Sequence, residues 1–297
     1  MSLAVFDIGG TTVKYGTWEQ QQLSAVAAFP TPATFDELLD NMATIMDDAK
    51  REFTGIAISA PGAVDQDRRK ILGISAVPYI HQRPIFDEIE QHFNLPVTIE
   101  NDANCAGIAE VELGVGKAAQ NIAFVVLGTG VGGALFVNRE LYKGSHLFGG
   151  KLGLLKSQSA QIFSQKGTLV KTANAYSKQT NDCIDGKALY ALAANGDKLA
   201  TVLLDEMYQI MAKNLYNVQV MFDPELIVLG GGISQRPALA NELSKRLFEQ
   251  LKKEGVEEIM PSVKCCYFHN DANLIGAALN FQKSRHVQFE AEQAREI

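Results

Sequence analysis

The chain has 297 residues, enough for about two domains on the usual length scale. Its 46% apolar and 21% charged residues match a soluble globular composition. The net charge of −7 speaks against a nucleic-acid binder, and no apolar run approaches the ~20 residues that a membrane span needs. Met-Ser leads straight into an apolar strand with no basic leader or cleavage signal, so a cytoplasmic location is expected. Cys105, Cys183, Cys265 and Cys266 show no C-x-x-C spacing and read as free thiols.

The first element is Leu3-Ala-Val-Phe-Asp-Ile-Gly-Gly-Thr-Thr-Val-Lys-Tyr-Gly16. Alternating apolar residues on both sides of Gly9-Gly10-Thr11-Thr12 predict two antiparallel strands joined by a tight turn. Glycine amides approach an anion closely and threonine hydroxyls add neutral donors. Asp7, at the strand end, is placed to hold a metal-bound water beside that anion. The bland alternative is an ordinary hairpin with an Asp near its turn. Thr34-Phe-Asp-Glu37 has capping-box spacing and opens a helix through Met46. Gly55–Ser59 then reads as a buried strand ending in Ala60-Pro61-Gly62, where an α/β sheet puts its site loops. His81 follows in an irregular stretch broken by Pro78 and Pro84 and reads as a solvated loop histidine.

Strand Pro96–Glu100 runs into Asn101-Asp102-Ala103-Asn104. Asp102 there is either a helix N-cap or a general base for hydroxyl-to-phosphate transfer, which needs one carboxylate to take the alcohol proton. Gly114–Lys117 reads as a domain crossing. Asn121–Val137 then repeats the first plan, apolar strand, Gly128-Thr129-Gly130-Val131-Gly132-Gly133 turn, apolar strand. Two such hairpins suggest two like domains holding a phosphate chain. Residues 156–182 carry no clear period. Helices are expected at Asp185–Ala194, Thr201–Val220, about Pro237–Lys253 and Asn273–Lys283, with a frayed charged tail over 284–297. Strand Pro224–Leu229, then Gly230-Gly231-Gly232, then a helix start, is a place for a nucleotide against bare backbone.

With these pieces in order, the sequence resembles the ROK family of bacterial sugar kinases, within the actin-like ATPase fold. The resemblance runs from Asp7-Ile8-Gly9-Gly10-Thr11 through Ser59-Ala60-Pro61-Gly62, Glu100–Asn104, Leu127–Gly133 and Leu229–Ile233 to Asn273–Ala277. It implies an α/β fold of two actin-like (ribonuclease H-like) domains with a nucleotide and sugar cleft between them. The expected boundaries are 1–115 with about 274–297, and 116–273. The implied activity is ATP- and Mg²⁺-dependent phosphorylation of a sugar hydroxyl, such as the 6-hydroxyl of a hexose or β-glucoside. Asp102 would be the base, with Pro61, Gly62, Asn101 and Lys151 on the sugar side. Asp7, Gly9, Gly10, Thr11, Thr12, Lys14, Gly128, Thr129, Gly130, Gly132, Gly133, Gly230, Gly231 and Gly232 would hold ATP, Asp7 meeting Mg²⁺ through water. The implied assembly is a homodimer, and the partner a small sugar or glycoside rather than nucleic acid or membrane.

The departures lie on the sugar side. Many members carry Gly-Glu-x-Gly-His and then a cysteine-rich zinc loop. Here Gly150-Lys151-Leu152-Gly153-Leu154 and Gln165–Val170 stand in those places. Without thiolates no zinc site is expected, a pattern similar to the β-glucoside kinase branch. Three readings of Lys151 stay open: it turns outward, it meets an anionic substrate, or turnover is weak and the protein binds without catalysing. A sugar-responsive regulator acting through a partner is the rival from another class. Val5-Phe6-Asp7, so close to the first residue, is expected to leave no room for a helix-turn-helix in front.

Overall fold

The alternating residues at the start of the chain form β1 (Ser2–Ile8), β2 (Thr12–Glu19) and β3 (Gln22–Pro30). The computed structural model describes residues 2–156 and 161–293, with side chains through Arg285. It divides into two units, Met1–Glu112 with Asn270–Ile297, and Leu113–His269.

In the first unit, α1 (Phe35–Asp48) opens on the expected capping box. Thr34 accepts from the Glu37 amide, and the Glu37 carboxylate accepts from the Thr34 amide. Then follow β4 (Gly55–Ala60), a small β5 (Ala63–Asp65) and β6 (Lys70–Leu72) hairpin, α2 (Ile85–Phe93), β7 (Val97–Asn101) and α3 (Asp102–Glu112). The main sheet has the order β3-β2-β1-β4-β7. β2 is antiparallel to β1 and β3, while β4 runs parallel to β1 and β7. β4 is buried along its whole length, as a strand covered on both faces must be.

The second unit repeats this plan. It contains β8 (Ile122–Leu127), β9 (Val131–Val137), β10 (Glu140–Tyr142), α4 (Phe163–Lys166), α5 (Leu169–Thr180), α6 (Gly186–Ala194), α7 (Lys198–Phe222), β11 (Leu226–Gly230), α8 (Leu239–Lys253) and β12 (Ser262–Cys265). Its sheet order is β10-β9-β8-β11-β12, antiparallel over the first three strands and parallel over the last three. Hairpin for hairpin and parallel strand for parallel strand, the two sheets match, which is the paired α/β architecture expected from the resemblance. The α7 stripe of Leu204, Met207, Met211, Leu215 and Val218 is core, as its spacing required.

Three stretches differ from expectation. Residues 156–182 contain α4 and α5; α5 buries only Thr172, Ala173 and Tyr176, so its sequence shows no apolar stripe. The closing helix α9 (Ala272–Gln293) continues past Lys283 where a tail was expected, and residues 294–297 lie outside the described residues. His81 is half-buried and bonded to Ser75 rather than solvated.

Among the described residues, no helix is long and apolar enough to cross a membrane. Cys105 on α3 is buried, and that burial, followed by the charges of Glu100, Asp7 and Asp102, pushes its thiol well above the ordinary value. Cys183 is exposed. A thiol reagent is therefore expected to label Cys183 promptly and Cys105 only on unfolding. Timed labelling with peptide mass mapping checks this, and fast labelling of Cys105 in the native protein would contradict it.

Candidate functional site

Parallel pairing sets Asp7 of β1 opposite Ser59 of β4. Asp7 Oδ1 accepts from Ser59 Oγ at 2.7 Å and from Asn273 Nδ2, at the start of α9, at 2.9 Å. Two neutral donors thus fix the carboxylate without neutralising its charge. The turn beyond it is closed by Gly9 N–H donating to Thr12 O at 3.0 Å. It is anchored by Thr31, whose N–H donates to Thr11 O at 3.0 Å and whose hydroxyl donates to Gly9 O at 2.6 Å. None of these bonds uses the N–H of Gly10, Thr11 or Thr12, and all three residues are exposed. That is the arrangement an anion-binding turn requires. Lys14 of β2 pairs with Asp7 across the hairpin and donates to Asn270 O at 3.3 Å.

A second polar cluster is built in the same unit, where β7 passes into α3. Glu100, Asn101 and Asn104 are buried and Asp102 is exposed. Asp102 Oδ1 accepts from the Ala103 amide at 2.8 Å and from Asn101 Nδ2 at 2.8 Å. The same Asn101 Nδ2 donates to Gly62 O at 2.8 Å, tying the loop after β4 to this junction. Below it, Glu100 Oε1 accepts from the Asn101 amide at 2.7 Å and Asn104 Nδ2 at 2.9 Å. The carboxylate therefore sits at a helix start, on a buried amide network. Pro61 and Gly62 are half-buried beside it, and Gly62 has φ +113°, a conformation that favours glycine.

In the second unit the Gly/Thr turn is held from α4 and α5. Gly128 N–H donates to Gly130 O at 2.9 Å, Val131 N–H donates to Ser164 Oγ at 2.9 Å, and Thr168 Oγ1 lies 3.5 Å from Thr129 O. These bonds leave the exposed Thr129 and Gly130 amides unused. Gly132 and Gly133 lie within β9, Gly133 packed where a Cβ would meet Gly150 O at 2.7 Å. Gly230 ends β11, Gly231 has φ +86° and ψ 174°, and Gly232 begins a 3₁₀ turn. A Cβ on Gly231 would overlap the Leu127 carbonyl oxygen, so the glycine run lies against the strand that leads into the Gly/Thr turn. Gly231→Ala is expected to cost about 1–3 kcal/mol for the backbone conformation alone. Thermal unfolding checks this; unchanged stability would contradict it.

A family model described as the ROK family matches residues 3–284. The chain belongs to the ROK family. The beta-glucoside kinase of Listeria monocytogenes serovar 1/2a is 30% identical over 300 residues, spanning 96% of this chain and 100% of that protein. That of Klebsiella pneumoniae is 30% identical over 297 residues, spanning 95% and 97%. Among solved structures, a ROK family protein from Streptococcus pneumoniae TIGR4 in complex with sucrose has a TM-score of 0.87 at 32% identity, over 96% of this chain and 99% of that one.

Against the ROK pattern, the altered stretch at Gly150–Leu154 is a tight backbone feature of the second unit. Lys151 is half-buried, its N–H donates to Phe148 O at 3.1 Å, and a 3₁₀ turn over Leu152–Leu154 follows. Leu154, where many ROK members have His, is 54% exposed. Sequence reasoning quoted Asn273 in the closing motif but gave it no site role, and it missed the clasping pair Ser164 and Thr168. The first lies 266 positions from Asp7, and the others fall in the unpatterned stretch. The Ser59 motif was visible, but its bond to Asp7 was not.

Proposed function

We propose that the chain is an ATP-dependent sugar kinase that phosphorylates a hydroxyl of a hexose or β-glucoside, with Asp102 as general base. The observation that supports this most is the Asp102 carboxylate: exposed at a strand-to-helix junction, accepting from the Ala103 and Asn101 donors, and linked through Asn101 to Gly62. The chain is also 30% identical to named beta-glucoside kinases over 95% to 96% of its length. Asp102 takes the proton from the acceptor hydroxyl as the hydroxyl oxygen attacks the γ-phosphorus in line, and the bond from that phosphorus to the β,γ-bridging oxygen breaks to release ADP. Asn101 and the Pro61–Gly62 loop orient the sugar. The Gly9–Thr12 and Gly128–Gly133 turns each supply amide and hydroxyl donors to phosphate oxygens, and Gly230–Gly232 lie beside the nucleoside. Asp7, a hard oxygen ligand fixed by two neutral donors, fits Mg²⁺ held through water. When bound there, that ion would neutralise phosphate charge. A cytoplasmic homodimer completes the proposal.

The changes at Lys151 and Leu154 favour a second reading, sugar binding with little turnover, because a carboxylate acceptor of sugar hydroxyls is replaced by a cation. ADP formation measured over glucose, neutral β-glucosides and anionic sugars tests both. Sugar-dependent ADP on neutral glucosides is the expected result. Stabilisation by sugar without ADP formation favours the second reading, and ATP hydrolysis indifferent to sugar contradicts both.

A further inference from the structure

Asn101 Nδ2 donates to two acceptors, Gly62 O and Asp102 Oδ1, both at 2.8 Å. A primary amide carries two N–H bonds, so these contacts use both and fix which end of the amide faces the carboxylate. Turned over, Asn101 would set its own oxygen against Asp102 Oδ1 and withdraw its donor from Gly62 O. Asn101 is only 3% exposed, so water is a poor substitute for either bond. The orientation of the amide therefore depends on where Gly62 O stands.

His81 stands directly behind Gly62. A Cβ built on Gly62 would lie 2.9 Å from His81 Cε1, 2.6 Å from Ile71 Cγ2 and 3.0 Å from Leu72 O. The imidazole thus helps to fill the space that any other residue's side chain would need. Its backbone is fixed on both sides: His81 N–H donates to Pro78 O at 3.3 Å, and Gln82 N–H donates to Ile71 O at 3.2 Å. Its Nε2 shares a 2.7 Å hydrogen bond with Ser75 Oγ, which also accepts from the Val77 amide at 3.1 Å. Nδ1 is buried with no hydrogen-bond partner. Burying a nitrogen unpaired is unfavourable, a position that packing against Gly62 explains and hydrogen bonding alone does not.

We propose that His81 is a positioning residue for Asp102. The ring, pinned by Ser75, backs Gly62; Gly62 O sets the Asn101 amide; and Asn101 Nδ2 aims the carboxylate. The consequence for catalysis rests on the reading of Asp102 as the base, whereas the mechanical coupling does not. The test therefore reads the coupling directly. Hydrogen exchange of the Asn101 side-chain amide is followed by NMR on isotope-labelled wild type, His81→Ala and Ser75→Ala. Exchange in His81→Ala is expected to be about three- to tenfold faster than in the wild type, the effect of losing one hydrogen bond. The backbone amides of β7 should keep their wild-type rates, and added imidazole, which fits the vacated space, should slow the Asn101 amide again. Ser75→Ala, which keeps the ring but not its pin, should fall between. Unchanged exchange in both variants, acceleration shared by the β7 backbone, or no response to imidazole would overturn the proposal. If His81→Ala does not fold, Ser75→Ala decides by the same reading. Phosphate transfer assayed in parallel reports separately on the kinase reading. In an active protein, His81→Ala should lower kcat while KM for ATP stays within about twofold; a wild type that transfers no phosphate removes that reading and leaves the exchange result standing.

Discussion

Asp102→Asn is expected to lower kcat by about a hundred- to ten-thousandfold while leaving sugar and nucleotide affinity near the wild-type values. Asparagine keeps an oxygen that can accept from the Ala103 amide and Asn101 Nδ2, so the local hydrogen bonds survive. What it loses is the ability to take a proton. The structural cost is small by comparison. Asp102 is exposed in the first turn of α3, where a carboxylate interacts with the helix dipole for about 0.3–1 kcal/mol. The expected loss in rate corresponds to roughly 3–5 kcal/mol in the barrier, so the two effects separate cleanly. Steady-state kinetics with thermal unfolding on the same preparation checks both. A kcat near the wild-type value would remove Asp102 from the base role.

Gly276→Ala should destabilise the protein, although helix propensity alone predicts the reverse. Replacing glycine by alanine inside a helix normally stabilises by about 1 kcal/mol. Here a Cβ on Gly276 would overlap the Cys105 carbonyl oxygen, because α9 and α3 approach backbone to backbone at this point. A carbonyl in a helix cannot swing aside as a flexible side chain can, so the helices must part. Overpacking of this kind costs about 1–3 kcal/mol and sometimes more. The net expectation is a fall in Tm of several degrees, at roughly 2–4 °C per kcal/mol for a domain of this size. The variant should also loosen Asp7, since Asn273 sits one turn before Gly276 on the same helix and donates to Asp7 Oδ1. An unchanged or raised Tm would contradict this account of the α3–α9 contact.

These two positions also mark what the sequence can and cannot reveal. The place of Asp102 at the strand-to-helix junction was legible because a carboxylate between two asparagines at a strand end is a local pattern, complete within five residues. The same holds for the Gly9–Thr12 and Gly128–Gly133 turns, where apolar alternation on both sides announces the hairpins and hence the repeated sheet. Gly276 carries no such signal. A glycine amid small helical residues says nothing about which backbone it meets, and its partner lies on α3. Asn273 reaches Asp7 for the same reason, through the packing of a terminal helix. Ser164 and Thr168, which clasp the second turn, stand in a stretch whose helices bury few apolar side chains, so no periodicity drew attention to them. His81 looked like a loop residue because its neighbours include two prolines. Its burial comes from Gly62, whose missing side chain leaves the space that the imidazole fills.

The central claim is that Asp102 and the Gly/Thr turns transfer phosphate from ATP to a sugar hydroxyl. The most direct measurement is phosphorus NMR of the wild-type protein incubated with ATP, Mg²⁺ and a β-glucoside. The account predicts a sugar phosphomonoester signal growing in step with ADP and absent when the sugar is omitted. Inorganic phosphate as the sole product, with no phosphorylated sugar from any member of the panel, would contradict it.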